Sequence, residues 1–508
     1  MDFREGVVVN PYLRLSDEEI NRIHKASMEI LADPGVLVFH EEAAEHFKEA
    51  GAEVTKVPEE GDKAWSVKIP ENLLEKALKT APEKVVLGAR DPKNKLVLDG
   101  NKPRVYFGSG SETNYILEAS MDTFVKKDDP ETTAVFPTFK KKRGTLKDLC
   151  ESARLGENFE NLDFFIRNVN IQDPEITNEN KDVNKFFACL DNMTKHVLAG
   201  ITDVRQLDNV IKMAEIIAGG KEAVKENPVL SFISCVTKSP LQLTEESTTN
   251  LLEVNKRGFP IVISSSPQGG STAPIDEIGI VSQINAEILS AVVLSQIANP
   301  GSPVIYGSVP VRARMDNLHD MYGAPEFSQY NMSCVQMARF YGLPCYSSAG
   351  VSDAKTPGIQ ASIEKMFSHL CVSQGGPHLL HYSFGLLEET QTFCPEQAVL
   401  DNAHIGMIKK VYREPNVTDE SIEDNLKIIR KVMKSPYRIY AKYARKKLHS
   451  GDLYLEYPFE SEKEDMDETI AKAKEEKERI LNLPVKRIPE DVRNKILEEV
   501  PGILEKLH

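Results

Sequence analysis

Two arginines, Arg312 and Arg314, lie in YGSVPVRAR (306–314), directly after a short apolar run. Aromatic residues end or follow similar runs: Phe107, Tyr306, Tyr346, Tyr382 and Phe384. A guanidinium forks onto a carboxylate. Ring faces hold a quaternary ammonium, which has no hydrogen to donate. Arginine with an aromatic cage is therefore the chemistry a small zwitterion needs. Arg312 is the first candidate for the carboxylate grip, and Arg314 is its substitute. Phe107, Tyr306, Tyr346 and Phe384 are the cage candidates, although Tyr306 and Phe384 read equally well as core. Glu112, after GSGS (108–111), is the loop carboxylate best placed to balance a cation. Asp353 is the second, and it also reads as a loop organiser.

Other chemistries have weaker support. Cys235, Cys345 and His381 all fall near strand ends, and two thiols with an imidazole make a candidate zinc set. No paired-cysteine spacing supports it, and cysteine in a strand is usually core. Lys355 has the chemistry of a Schiff-base lysine but lies beyond its strand in a polar loop, where it would not be desolvated. Neither a P-loop nor a dinucleotide fingerprint occurs. Tight turns explain Gly108, Gly110, Gly269 and Gly270 as well as anion binding does.

The segments that must position these residues alternate. Eight short apolar or β-branched runs occur at 105–108, 164–170, 196–201, 229–236, 260–264, 303–307, 344–347 and 378–384. Helical patterns lie between them, over 145–159, 183–195, 203–218, 244–257, 276–298, 325–341 and 358–374. Near-continuous apolar runs suit parallel strands covered on both faces, and eight strand–helix units suit a (β/α)8 TIM barrel. An open doubly wound sheet is the competing α/β arrangement. In a barrel the chemistry sits where strands end, which is where the residues above fall. Residues 1–100 read as a helical extension, with a capping box at Ser16 and Glu19. Residues 101–390 read as the barrel and 391–508 as a helical C-terminal region.

The 508 residues carry a net charge of −15 and are 41% hydrophobic and 27% charged. That balance argues against nucleic acid or an anionic membrane as the main partner. Seven scattered cysteines without a CxxC read as reduced cytoplasmic thiols. MDFREGVVVN lacks the basic-then-apolar design of a signal peptide. No uninterrupted apolar run reaches the ~20 residues that span a bilayer.

Several stretches resemble the trimethylamine methyltransferase (MttB-like) superfamily. They are LSDEEINRIHKASMEIL, VYFGSGSETNYILE, NPGSPVIYGS, GVSDAKTPGIQAS and CPEQAVLDNAHIGMIKKV. Together they span nearly the whole chain. The resemblance implies a (β/α)8 barrel that transfers a methyl group from a methylated amine to the Co(I) centre of a cognate corrinoid protein. Founding members carry pyrrolysine, whereas this sequence has a standard residue at every position. It therefore resembles the non-pyrrolysine branch, which acts on quaternary amines such as glycine betaine, proline betaine, carnitine or γ-butyrobetaine. A quaternary nitrogen already carries the charge a leaving group needs, so no acid, base, tightly bound cofactor or metal is expected in this chain. The expected partners are the amine, the corrinoid protein and further copies of the chain as a homo-oligomer. Two alternatives stand beside this reading. One is a zinc-dependent corrinoid methyltransferase for a methanol- or thiol-type substrate; the other is a non-catalytic betaine-binding barrel.

Overall fold

The structure, a computed structural model, describes residues 3–126, 129–450, 453–462 and 467–508. It is a mixed α/β protein built on one large curled sheet. Eight strands of that sheet are parallel: β1 (Arg104–Phe107), β2 (Phe164–Ile166), β3 (His196–Ala199), β4 (Leu230–Cys235), β5 (Ile261–Ser265), β6 (Val304–Ser308), β7 (Cys345–Ser348) and β8 (Leu379–His381). Neighbours run in chain order from β2 to β8, and β8 pairs with β1. A ninth strand, Val7–Val8, joins β1 antiparallel. A single parallel bridge, Gly108 to Phe164, links the ends of β1 and β2, where the Asp163 N–H also donates to the Phe107 carbonyl at 2.7 Å. Each of the eight apolar runs read from the sequence overlaps one of these strands, to within a residue at either end where it does not contain it.

The strands are joined by helices that cover the outer face: α1 (Leu146–Asn158), α2 (Lys181–Asn192), α3 (Leu207–Ala218), α4 (Glu245–Lys256), α5 (Glu277–Ala298), α6 (Pro325–Phe340) and α7 (Ile359–Gly375). α8 (Pro395–Val411) follows β8. α5 is 22 residues long and apolar enough to cross a bilayer, which the uninterrupted-run criterion passed over. It is buried instead, between the sheet and the helices Asp17–Ala32, Glu41–Ala50 and Glu71–Thr80. Its polar residues find partners there. Glu287 accepts from Ser239, Leu241 N–H and Ser265, and Asn285 donates to Ser27 and Tyr341.

Two regions differ from the sequence expectation. The first hundred residues are not purely helical. The Ser16–Glu19 capping box forms, and Asp17–Ala32, Glu41–Ala50 and Glu71–Thr80 are helices, but short strands alternate with them. The hairpin Lys84–Leu87/Leu96–Asp99 puts Val85, Leu87, Leu96 and Leu98 into the apolar cluster on the inner face of the sheet. Its backbone bonds to residues just ahead of the strands, Thr194 and Pro228, so it plugs the N-terminal rim. A long antiparallel hairpin, Tyr115–Lys126/Asp129–Arg143, was not expected either. It ends in TFKKKR, which reads as solvated loop because charge is rare in buried strands. In the C-terminal region, Asp419–Met433 and Thr469–Leu481 are helices. The charge-rich run 461–481 reads as one helix in the sequence; the helix begins at Thr469, and residues 463–466 lie outside the described residues.

Candidate active site

Side chains alternate along a strand, so residues two apart share a face. On the inner face, Tyr106, Leu198, Val262, Ile305, Tyr346 and Leu379 form the apolar cluster together with Ile233. Two residues further along the same strands come Gly108, Gly200, Ser264, Gly307, Ser348 and His381, with Cys235 after Ile233. A layer of large side chains is thus topped by a layer of mostly small ones at the C-terminal rim. Cys235 is exposed although most of its strand is buried. Surrounding protein nevertheless desolvates its thiol enough to push the pKa up.

One side of this rim is aromatic. His381 stacks on Tyr346 at 4.1 Å between ring centroids and meets Tyr382 at 3.7 Å. Tyr322 stands edge-on to Tyr382 at 6.2 Å. His381 Nε2 is 2.6 Å from the Ser348 hydroxyl, and its Nδ1 is buried without a partner among the described residues. Burial pushes its pKa well down, so the imidazole is neutral and adds no positive charge to the wall. Burial also drives the Tyr346 and Tyr382 phenols upward, with Cys235 adding to both. Tyr382 has φ 67°, a left-handed conformation unusual for an aromatic residue and typical of strained functional sites.

The side formed by the ends of β1–β3 is charged. Arg167, one residue beyond β2, pairs with Glu112 at 2.5 Å, and Lys181 lies 3.6 Å from the same carboxylate. Burial raises the Glu112 pKa, but Arg167, Lys185 and Lys181 outweigh it and hold the group below its usual range. Lys185 is paired with Asp182. Burial, helped by Arg167, lowers it to about 8. An added Cβ at Gly200 would lie 3.9 Å from an Arg167 Nη, so the guanidinium reaches the inner side of the rim. Arg167 Nε is buried without a partner among the described residues.

The sequence candidates separate across the sheet. Tyr346 is on the inner face, and Glu112 is at the rim. Phe107, Tyr306 and Phe384 belong to the outer core. Phe107 meets His369, the Tyr306 hydroxyl donates to Asn285 at 2.9 Å, and Phe384 stacks on Phe159. The four aromatics therefore do not form one cage. Strand alternation is the reason: Phe107 and Tyr106 are neighbours on opposite faces, as are Tyr306 and Ile305. Arg312 lies on a small sheet made by Gln268–Gly269, Val311–Ala313 and Asp320–Met321. There it faces the first turn of α6, bonded to Glu326 at 3.3 Å and to the Met321 sulfur. Arg314 directly follows the middle strand of that sheet, its N–H bonded to the His319 carbonyl. Asp353 accepts from Tyr322 and Gly323 N–H, the loop-organising role. Burial, together with Glu364 and Glu389, raises it to about 6 against those bonds. Cys345 shares the outer core with Tyr306, so Cys235, Cys345 and His381 do not converge. Among the described residues no group of three or more His, Cys, Asp or Glu is arranged for a metal ion. Lys355 is exposed.

Sequence reasoning passed over Arg167, Tyr322 and Lys185, and it noted Tyr382 only as an aromatic near a strand end. The large-then-small alternation was available in the sequence as a signal for the C-terminal rim. The pairing of Glu112 with Arg167 and Lys181 was not, because the three come from the loop after β1, the end of β2 and the start of α2.

The sequence matches the model of the trimethylamine methyltransferase (MTTB) family over residues 6–120 and 133–436. It is 33% identical to trimethylamine methyltransferase MttB of Desulfitobacterium hafniense (strain DSM 10664 / DCB-2), over 80% of this chain and 76% of that one. It is 32% identical to MttB of Methanosarcina barkeri, over 82% and 79%. It is 27% identical to the glycine betaine methyltransferase of Desulfitobacterium hafniense (strain Y51), over 88% and 87%.

Proposed function

Given that this chain belongs to the trimethylamine methyltransferase family, we propose that it is a methyltransferase acting on a methylated amine, and specifically on a betaine-type quaternary amine. We further infer that the Gly108–Phe164 bridge closes the sheet into a (β/α)8 barrel, with the site at its C-terminal mouth. The observation that carries the substrate class is the polarity of the rim. Tyr346, a neutral His381 and Tyr382 line one side and suit a cation that cannot hydrogen-bond. Arg167 and Lys181 stand on the other and suit a carboxylate. Trimethylamine has no anionic end to place there. The presence of a standard residue at every position favours the same branch of the family.

In this reading the chain binds and aims. The tyrosine faces hold the ammonium, and Arg167 anchors the far end. The molecule is then fixed along one axis, with a methyl group directed outward at the rim. Holding reactants in line can supply several kcal/mol of the barrier. The corrinoid of a separate partner protein would supply the Co(I) nucleophile. The solvent access of Cys235 fits an approach from outside. No proton need move, because the amine leaves as a neutral base.

The test is a methyl-transfer assay with a Co(I) corrinoid protein and glycine betaine, proline betaine, carnitine, γ-butyrobetaine and trimethylamine, read by the cobalt absorption spectrum. Transfer from one or more betaines is expected. Transfer from trimethylamine alone would overturn the substrate class.

A further inference from the structure

The solvent face of α7 is apolar. Ile359, Ile363, Phe367 and Leu370 recur along it, and Ile359 and Ile363 are 81% and 63% exposed. The opposite face, with Ala361, Lys365, His369 and Val372, is buried. A surface helix normally turns charge to water; the exposed positions here add only Gln360 and Gln374. The patch continues onto Tyr12, whose N–H bonds to the Gln374 carbonyl, and onto Val411, next to Tyr412, whose hydroxyl bonds to the Leu370 carbonyl.

The chain also carries a second unpartnered apolar face. After α8 it leaves the body through the exposed segment 413–417 and, among the described residues, packs back into the core at Phe459. In the excursion, the helix Asp419–Met433 buries only Val432, and the helix Ala441–Leu448 buries nothing. Ile422, Leu426, Ile429 and Met433 are all exposed, as are Tyr437, Ile439 and Tyr440. The two stripes match in length. Each runs from its first apolar residue to its last over about three turns of helix, about 16 Å at 1.5 Å per residue. The charge is as unusual as the apolarity. Residues 425–447 hold nine Lys and Arg and no acid, so that in a chain of net −15 the remainder carries −24.

We propose that this excursion is an arm that docks on a second copy of the chain, laying the Ile422–Met433 stripe against the α7 stripe of its neighbour. One chain carries both halves of the contact. A two-fold exchange therefore covers both faces in each copy and closes without leaving either exposed, as isologous dimers do. A different protein seated on α7 would leave the arm bare. The excursion from 413 to 458 as a whole carries a net charge of +3 against −18 for the rest of the chain, which adds charge complementarity to the apolar match. The proposal does not depend on which amine is the substrate.

Sedimentation equilibrium on the full chain tests it. A dimer at micromolar concentration is expected. Phe367→Glu on α7 and Ile429→Glu on the arm should each weaken dimerisation by at least about 30-fold, as loss of a central anchor does. Both sites are exposed, so the circular dichroism spectrum should not change. Chains carrying Ile363→Cys and chains carrying Ile429→Cys, mixed and oxidised, should give a disulfide cross-link that joins position 363 of one chain to position 429 of another. A monomeric wild type would overturn the proposal. So would a dimer indifferent to both glutamates, a 429–429 cross-link in place of 363–429, or an α7 face occupied only when another protein is added.

Discussion

His381 lies against the ring of Tyr346, 4.1 Å between centroids, with its other side on Tyr382. The imidazole is sandwiched and neutral, and it holds two phenol rings at a fixed spacing on the inner face of the sheet. Tyr346→Leu and Tyr382→Leu should each weaken binding of a betaine by about 0.5–2 kcal/mol, the range of a cation over a ring. Titration calorimetry with tetramethylammonium should show the same loss, since the ammonium alone meets the rings. Equal affinity in wild type and both variants would move the cation elsewhere.

Arg167 and Arg312 make opposite predictions. Arg167→Met should cost a carboxylate-bearing betaine about 1.5–3 kcal/mol, the range of a charge-assisted hydrogen bond, and leave tetramethylammonium binding within about twofold. Arg312 is turned toward Glu326, and Arg312→Ala should leave both affinities nearly unchanged. Calorimetry on the pair decides between them. A selective loss in Arg312→Ala with none in Arg167→Met would exchange their roles.

Gly108 tests the joint between β1 and β2. A Cβ there would lie 2.3 Å from the fully buried Phe164 ring. Gly108→Ala should therefore destabilise the fold by about 1–3 kcal/mol, as overpacking a filled core does. Denaturant unfolding measures it, and an unchanged midpoint would mean that the ring has room to retreat.

Asp353 links stability to pH. Its folded pKa, about 6, lies above the ordinary 3.8. Stability gained from the protonated group is complete below the ordinary value and is lost as pH rises through 6. Asn carries no charge at either end of that range. On going from about pH 5 to about pH 7.5, the stability of wild type relative to Asp353→Asn should fall by about 1 kcal/mol, a figure reduced for partial solvent screening. Parallel curves for the two proteins would show that Asp353 does not titrate there.

The framework was legible in the sequence because period and burial leave a direct mark. Runs such as 260–264 and 303–307 are nearly all apolar, as a strand covered on both faces requires, and both became central strands. The site was legible only by region. Tyr306 and Tyr346 look alike in sequence, each near the end of a short run, yet one packs outward on Asn285 and the other inward on His381. The phase of alternation decides this. A run that is apolar throughout does not reveal its phase, but the small residues that follow do: Ile305 then Gly307, Val262 then Ser264. Arg312 drew attention because it follows β6 so closely in the chain. The small sheet that turns it toward Glu326 is assembled from three separate segments, and no local pattern announces that sheet. The hairpin under the inner face escaped notice for a similar reason, since Lys84–Leu87 and Leu96–Asp99 are four residues each.

That hairpin has a consequence for traffic. With Val85, Leu87, Leu96 and Leu98 stoppering the base, a ligand held on the inner face of the proposed barrel would come and go by the C-terminal rim. A protein seated over that rim would bar a small molecule from passing. In that arrangement the small molecule would have to be aboard before the large one lands, and the remnant would leave only after it lifts.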